Sequence, residues 1–366
     1  MPIEKPRIVF MGTPEFAVAS LDALVRAGYP IVGIITAPDK PAGRGMQLTR
    51  SAVKKYVLQH LMGQPGEGSE AAGSQPAGQT GEGSKAEGSG SAESGSAGSA
   101  PGGSYPPPVI LQPEKLKNPD FLEALRALRA DLQIVVAFRM LPETVWNMPS
   151  MGTVNLHGSL LPQYRGAAPI NWAVINGETR TGVTTFKLQH AIDTGDILLQ
   201  ESFPIGEEET AGEVHDRMKE IGAALLVRTV DGLAAGTLKE VPQKHANSLS
   251  EQAHAEQSIL RTAPKIFTET CRIDWNQPVS TVYNLIRGLS PSPGAFTYLD
   301  GKLLKIYHCE KDAGKPSIPP GDYTSDKKTY LEFACPDGWI KLKEIQLEGK
   351  KRMKTEEFLR GFRPAH

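Results

Sequence analysis

Cysteine is scarce in this 366-residue chain. The three present, Cys271, Cys309 and Cys335, lie far apart, with no C-x-x-C pair and no metal-ligand spacing. Such an odd, sparse set excludes a disulfide framework and fits reduced thiols in a cytoplasmic protein. Long apolar runs are missing too. Nothing approaches the roughly 20 residues that cross a bilayer, which excludes a membrane-spanning helix. The opening MPIEKPRIVFMG has no apolar signal core and runs directly into a strand, so no targeting segment is expected. An excess of one charge is also absent. A formal net charge of −1 gives no general field for a nucleic acid. That figure is skewed by Met62–Pro108, which carries Glu67, Glu70, Glu82, Glu87 and Glu93 against Lys85 alone. Taking its −4 from the total of −1 leaves +3 for the rest of the chain, so any RNA contact must come from local patches. Finally, a glycine fingerprint is lacking. The turn after the first apolar run reads MGTPEF, where nicotinamide binding calls for G-x-G-x-x-G.

What is present is an alternation of β-type and helical patterns. Strands are expected at 7–12, 31–36, 109–111 and 132–137, running into Asn155, and again at 183–189 and 197–203. Helices are expected at 14–27, 49–61, 118–129, 142–147 and 212–235, with 38–45 as a loop. Apolar strands alternating with helices predict an α/β unit, a Rossmann-like parallel sheet with helices on both faces. The Gly/Ser/Ala-rich stretch 62–108 has almost no large apolar side chains to offset the entropy of ordering, and reads as a disordered surface insertion. Residues 239–262 are polar and weakly patterned, a candidate linker. Beyond them come a helix at 279–288 and short strands at 295–299, 303–309, 329–334 and 338–345. These suggest a small β-barrel. The domain reading is therefore 1–238, a linker at 239–262, and 263–366.

The chemistry concentrates in TVNLHGSLLPQYRGAAP, residues 153–169. Residues two apart on a strand face one side, so Asn155 and His157 project together from a strand end. An amide donor beside a group titrating near neutrality can hold a carbonyl oxygen while a proton moves. Such a pair is also an ordinary polar strand end. Thirty-six residues after the histidine, AIDTGDI supplies Asp193, an anion that could orient His157 or a water. The remaining histidines are scattered and read as surface or turn residues, and no metal is expected.

The N-x-H-x-S-L-L-P segment followed by D-T-G-D resembles the formyltetrahydrofolate-dependent formyltransferases. RIVFMGTPEFAVASLDAL at 7–24, TAPDKPAGRGMQLTRSAVKKYV at 36–57 and RGAAPI at 165–170 resemble the branch of that family acting on methionyl initiator tRNA. The likeness runs from about Arg7 to the C-terminus, broken by the insertion, with RIDW at 272–275 and GKKRM at 349–353 fitting its weaker last third. It implies formyl transfer from 10-formyltetrahydrofolate, as cosubstrate, to the amino group of methionyl initiator tRNA. It also implies catalytic roles for Asn155, His157 and Asp193, and a folate loop of Ser159, Leu160, Leu161 and Pro162. The C-terminal unit would be an OB-like, tRNA-binding domain, and the protein a cytoplasmic monomer with no membrane partner. Leu160, Leu161 and Pro162 equally suit a core plug. Lys40, Arg44, Arg50, Lys54 and Lys55 form a basic strip that suits either a solvated face or the tRNA acceptor arm. Met46 and Gln47 stand where other members carry further cations. Lys350, Lys351 and Arg352 make a second candidate phosphate surface. Alternatives are a formyltransferase acting on a sugar-nucleotide amine or glycinamide ribonucleotide, a formyltetrahydrofolate hydrolase domain, or a non-catalytic RNA-binding protein.

Overall fold

The computed structural model describes residues 4–42, 47–63, 105–248 and 260–362. Most of the low-complexity insertion and part of the candidate linker lie outside these residues. The chain begins with β1 (Ile8–Gly12), α1 (Glu15–Arg26) and β2 (Ile31–Ile35). A short ribbon of β3 (Lys40–Ala42) and β4 (Gln47–Thr49) precedes α2 (Ala52–His60) and β5 (Val109–Leu111). Next come α3 (Pro119–Ala127), β6 (Leu132–Val136), α4 (Glu143–Trp146) and β7 (Thr153–His157). The first unit closes with β8 (Arg165–Gly166), α5 (Pro169–Ile175), β9 (Arg180–Lys187), β10 (Ile197–Pro204) and α6 (Ala211–Ala234).

Seven strands form one sheet in the order β10-β9-β7-β6-β1-β2-β5. The five from β7 to β5 are parallel. The central strands β1, β2 and β6 are apolar apart from Gln133 because both faces are covered, whereas β7 carries Thr153, Asn155 and His157. Ile8, Phe10, Ile134, Val154 and Leu156 face a core shared with Phe16, Leu21 and Leu24 of α1 and Val214, Leu225 and Leu226 of α6. Val9, Met11 and Val135 face Phe121 and Leu125 of α3 and Val145 of α4. Helices thus cover both faces, as expected. A capping box between Thr210 and Glu213 starts the 24-residue α6. The chain leaves β1 toward β2 and β5, then returns to β6 and β7 on the other side. Ligands in such sheets bind beyond the carboxyl ends near that reversal.

One departure matters for the site. β9 runs antiparallel to β7, with His157 opposite Thr184 and Val154 opposite Lys187. An apolar run does not report its direction, so periodicity missed this. A second departure is the predicted 38–45 loop, whose first part belongs to the β3–β4 ribbon, with Lys40 opposite Thr49.

The rest of the chain adds β11 (Thr262–Ala263), α7 (Val279–Gly288), β12 (Ala295–Leu299), β13 (Lys302–Asp312) and β14 (Tyr323–Ser325). It ends with β15 (Leu331–Cys335), β16 (Gly338–Leu347), β17 (Met353–Lys354) and α8 (Thr355–Gly361). Strands β12-β13-β16-β15-β14 form an antiparallel OB-like half-barrel, with β17 paired to β16. Register breaks around Ile306 and His308 add the twist that curls it. Its core has Trp275 stacked on Phe333, ring centroids 4.6 Å apart, beneath Val282 and Ile286 of α7. Among the described residues no helix is long and apolar enough to cross a membrane.

All three thiols are buried in this second core. Burial raises the pKa of each, and Cys335 is pushed up to about 12. At about pH 8 almost no thiolate forms, and the thiolate is the reactive species. Native protein is expected to resist a thiol reagent for minutes and to take up three equivalents once unfolded. Labelling of folded protein at the rate of a free thiol would contradict the packing.

Candidate active site

Alternation along β7 separates core from chemistry. Val154 and Leu156 enter the α1–α6 core, so Asn155 and His157 share the opposite face. His157 is buried, at 7% exposure, and its Nε2 lies 2.9 Å from the carbonyl oxygen of Tyr164. A carbonyl only accepts, so Nε2 carries a proton and donates. That leaves Nδ1 as the free ring nitrogen, 3.9 Å from Asp193 Oδ2. The gap exceeds a direct hydrogen bond but lies within ion-pair range once the ring is protonated. Phe186 of β9 meets the imidazole edge-on, centroids 6.4 Å apart.

The route by which Asp193 arrives follows from the antiparallel β9. That strand ends level with Val154, so the 188–196 connection must run back along the face of β7 to reach His157. This forces a tight backbone. Asp193 adopts φ +51°, unusual for a residue with a side chain. A Cβ on Gly195 would stand 1.6 Å from the carbonyl oxygen of Lys187, so the glycine of D-T-G-D is required by close approach. The same Asp193 oxygen is fixed by the Gly166 N–H, which donates to Oδ2 at 3.0 Å.

Asn155 is half-buried, opposite Val135 of β6 and Phe186 of β9. The candidate folate-loop residues divide into two kinds. Ser159 donates to the Gln163 carbonyl at 2.6 Å, and the Ser159 carbonyl accepts from Thr184 Oγ1 at 2.7 Å. Leu161 is buried with Phe186 and Ile197, its N–H donating to Thr184 Oγ1 and its carbonyl accepting from Gln200 Nε2. Both residues thus brace the loop, whereas Leu160 and Pro162 keep half-exposed side chains.

Residues that the sequence did not single out bind this loop from behind. The buried Tyr164 phenol donates to Glu178 Oε1 at 2.6 Å, and Asn176 Nδ2 and Arg261 Nη1 approach the same hydroxyl at 3.2 and 3.4 Å. Burial and the Glu178 bond both raise the Tyr164 pKa. Strand β11 pairs in parallel with β8, setting Thr262 beside Arg165 and Ala263 beside Gly166.

The candidate tRNA residues are dispersed. Lys40 is exposed on the ribbon, and Arg44 lies outside the described residues. Lys54, read above as part of the basic strip, is instead 17% exposed and held by Asp39 Oδ2 at 2.5 Å and Gln112 Oε1 at 2.6 Å. Helical spacing alone could not reveal those partners. Lys350 and Lys351 are exposed on the turn after β16, with Lys351 3.7 Å from Glu357. Arg352 is exposed but lies over the Tyr307 ring and pairs with Glu344 at 2.6 Å, so its charge is partly answered within the protein. Among the described residues no group of three or more His, Cys, Asp or Glu could hold a metal ion.

Residues 6–230 match the family described as Formyl transferase, and residues 265–363 match Formyl transferase, C-terminal domain. The chain belongs to the formyl transferase family. It is 50% identical over 366 residues to the Methionyl-tRNA formyltransferase of Parabacteroides distasonis, covering 98% of this chain and 97% of the relative. The protein of that name from Bacteroides fragilis is 47% identical over 364 residues, covering 98% and 96%. Among solved structures, the N-formyltransferase of Helicobacter canadensis, in complex with folinic acid and dTDP-3-aminofucose, superposes with a TM-score of 0.58. That match covers 95% of this chain and 100% of the other, at 14% identity, and so reports the fold alone.

Proposed function

We infer that this chain transfers the formyl group of 10-formyltetrahydrofolate to the free amino group of methionyl initiator tRNA. The observation that carries this reading is its likeness to proteins named Methionyl-tRNA formyltransferase along 98% of its length, through both units.

The amine attacks the formyl carbon on N10, a C–N bond forms, and the carbonyl electrons move onto oxygen. Asn155 donates a hydrogen bond to that developing oxyanion, a contact typically worth about 3 kcal/mol. His157 works through Nδ1, because Nε2–H is engaged by the Tyr164 carbonyl. Neutral, Nδ1 accepts the proton that the attacking nitrogen must lose. Protonated, it supports the oxyanion. Asp193, with Oδ2 held by Gly166 N–H, stabilises the imidazolium and the proton's passage to N10. The C–N10 bond then breaks and tetrahydrofolate leaves. Leu160 and Pro162 offer the folate ring apolar surface, and the braced Ser159 and Leu161 hold them in place.

Residues 1–238 carry the chemistry, 239–262 connect, and 263–366 form the OB-like, tRNA-binding domain. Lys40, Arg44, Lys350, Lys351 and Arg352 face the tRNA, Arg352 more weakly than the lysines. The protein acts in the cytoplasm as a monomer.

An acceptor panel tests the assignment. Methionyl initiator tRNA should be formylated, while a sugar-nucleotide amine and glycinamide ribonucleotide should not. Arg44→Ala should reduce formylation of the tRNA at least about tenfold, some 1.4 kcal/mol of transition-state binding, and leave affinity for a folate analogue unchanged. The variant should also show a shallower salt dependence of tRNA binding, since it neutralises one phosphate fewer. Efficient transfer to a small amine with none to the tRNA would replace this reading with a sugar-type formyltransferase.

A further inference from the structure

The connector between the two units is more than a tether, because both its described ends are bonded to the loops that carry the site. At the far end, Tyr164 N–H donates to the Arg261 carbonyl at 2.7 Å and Ala168 N–H to the Ala263 carbonyl at 3.2 Å. A Cβ on Gly166, at φ +130°, would stand 2.4 Å from that Ala263 carbonyl, so backbone lies directly on backbone there. At the near end is Gln243, 5% exposed. Its Nε2 donates to the carbonyls of Asp193 and Gly195, each at 2.8 Å. Its Oε1 accepts from Arg165 Nε at 3.0 Å and Nη2 at 2.6 Å. A side-chain amide has two N–H groups and two lone pairs, and here all four are used.

Those partners belong to the two segments that converge on His157. Gly166 N–H fixes the Asp193 carboxylate, and its neighbour Arg165 is tied through Gln243 to the Asp193 main chain. Asp193 stands at an unfavourable positive φ, and such a backbone persists only where its surroundings over-determine it. Gln243 supplies that determination at the carbonyls on both sides of Thr194.

We propose that Gln243 is a positioning residue for formyl transfer. It locks the 193–195 turn to the Arg165–Gly166 segment and so sets the Asp193 carboxylate against Nδ1 of His157. The inference rests on the catalytic reading of Asp193 given above. Without Gln243 the two carbonyls lose their donors and the turn relaxes away from the ring. A displacement of about 1 Å is enough to slow a reaction about a hundredfold.

The test uses the full-length protein, saturating methionyl-tRNA, and the variants Gln243→Glu, Gln243→Met and Asp193→Asn. Gln243→Glu keeps the shape and the Arg165 contact but turns the two donors into acceptors. Gln243→Met removes the donors without adding charge, and carries the test should the glutamate variant not fold. Either is expected to lower kcat roughly 10- to 100-fold while the Kd of a folate analogue stays within about twofold. In the Asp193→Asn background the same change should cost less than about threefold, because the carboxylate it positions is gone. A native kcat in the Gln243 variants beside an impaired Asp193→Asn overturns this inference alone. Losses that multiply in the double variant, or fall equally on folate affinity, overturn it too, since they mark a general structural role. A native kcat in Asp193→Asn overturns the catalytic reading of Asp193 and this inference with it.

Discussion

Replacing His157 with alanine should lower kcat by about two to four orders of magnitude, the usual range for a group that moves a proton in the transition state. The expectation follows from where the ring is held. Nε2 is bonded to the Tyr164 carbonyl, Phe186 closes one edge, and Nδ1 faces Asp193. Only one nitrogen can exchange a proton with substrate, and nothing else on this strand face can replace it. In the proposed reading the substrate contacts lie elsewhere, on the 159–162 loop and the basic residues, so KM for the folate should move by less than about threefold. Glutamine at 157 can still donate but cannot accept and return a proton, so it should rescue little. Steady-state kinetics on folded variants checks this, and a His157→Ala enzyme within a few-fold of native kcat would remove His157 from the reaction.

Asn155→Ala should cost about two to three orders of magnitude in kcat, the usual effect of losing one oxyanion donor. The argument is again positional. Strand alternation places the amide two residues from the imidazole on one face, between Val135 and Phe186. A donor held by a sheet needs no reorganisation when charge develops. Asn155→Asp should be at least as damaging despite its identical shape, because a carboxylate repels the oxyanion it should stabilise. Retention of activity in the aspartate variant would show that the side chain acts by shape alone.

The sheet, its two helical layers and the strand carrying Asn155 and His157 were legible because apolar periodicity reports burial directly. Asp193 was legible only through its company in D-T-G-D. The reason for the glycine there appears in space, where Gly195 lies against the Lys187 carbonyl. Gln243 was invisible. It sits in a polar stretch that reads as linker, and its partners are 48, 50 and 78 residues away, beyond any local pattern. The two-residue β8–β11 pairing was hidden for the same reason, joining segments about a hundred residues apart. Helix α5 escaped because it is only seven residues long, too short for its periodicity to show. Lys54 shows the opposite failure, a cation on a helix whose partners Asp39 and Gln112 come from two other segments.

The most direct measurement is a crystal structure of the protein with a 10-formyl folate analogue inert to transfer. The account places the formyl oxygen at hydrogen-bond distance, about 3 Å, from Asn155 Nδ2. It places Nδ1 of His157 toward the formyl carbon, with Nε2 still bonded to Tyr164 and Asp193 Oδ2 beside Nδ1. A formyl group bound away from Asn155, or a ring turned so that Nε2 meets the substrate, would contradict it.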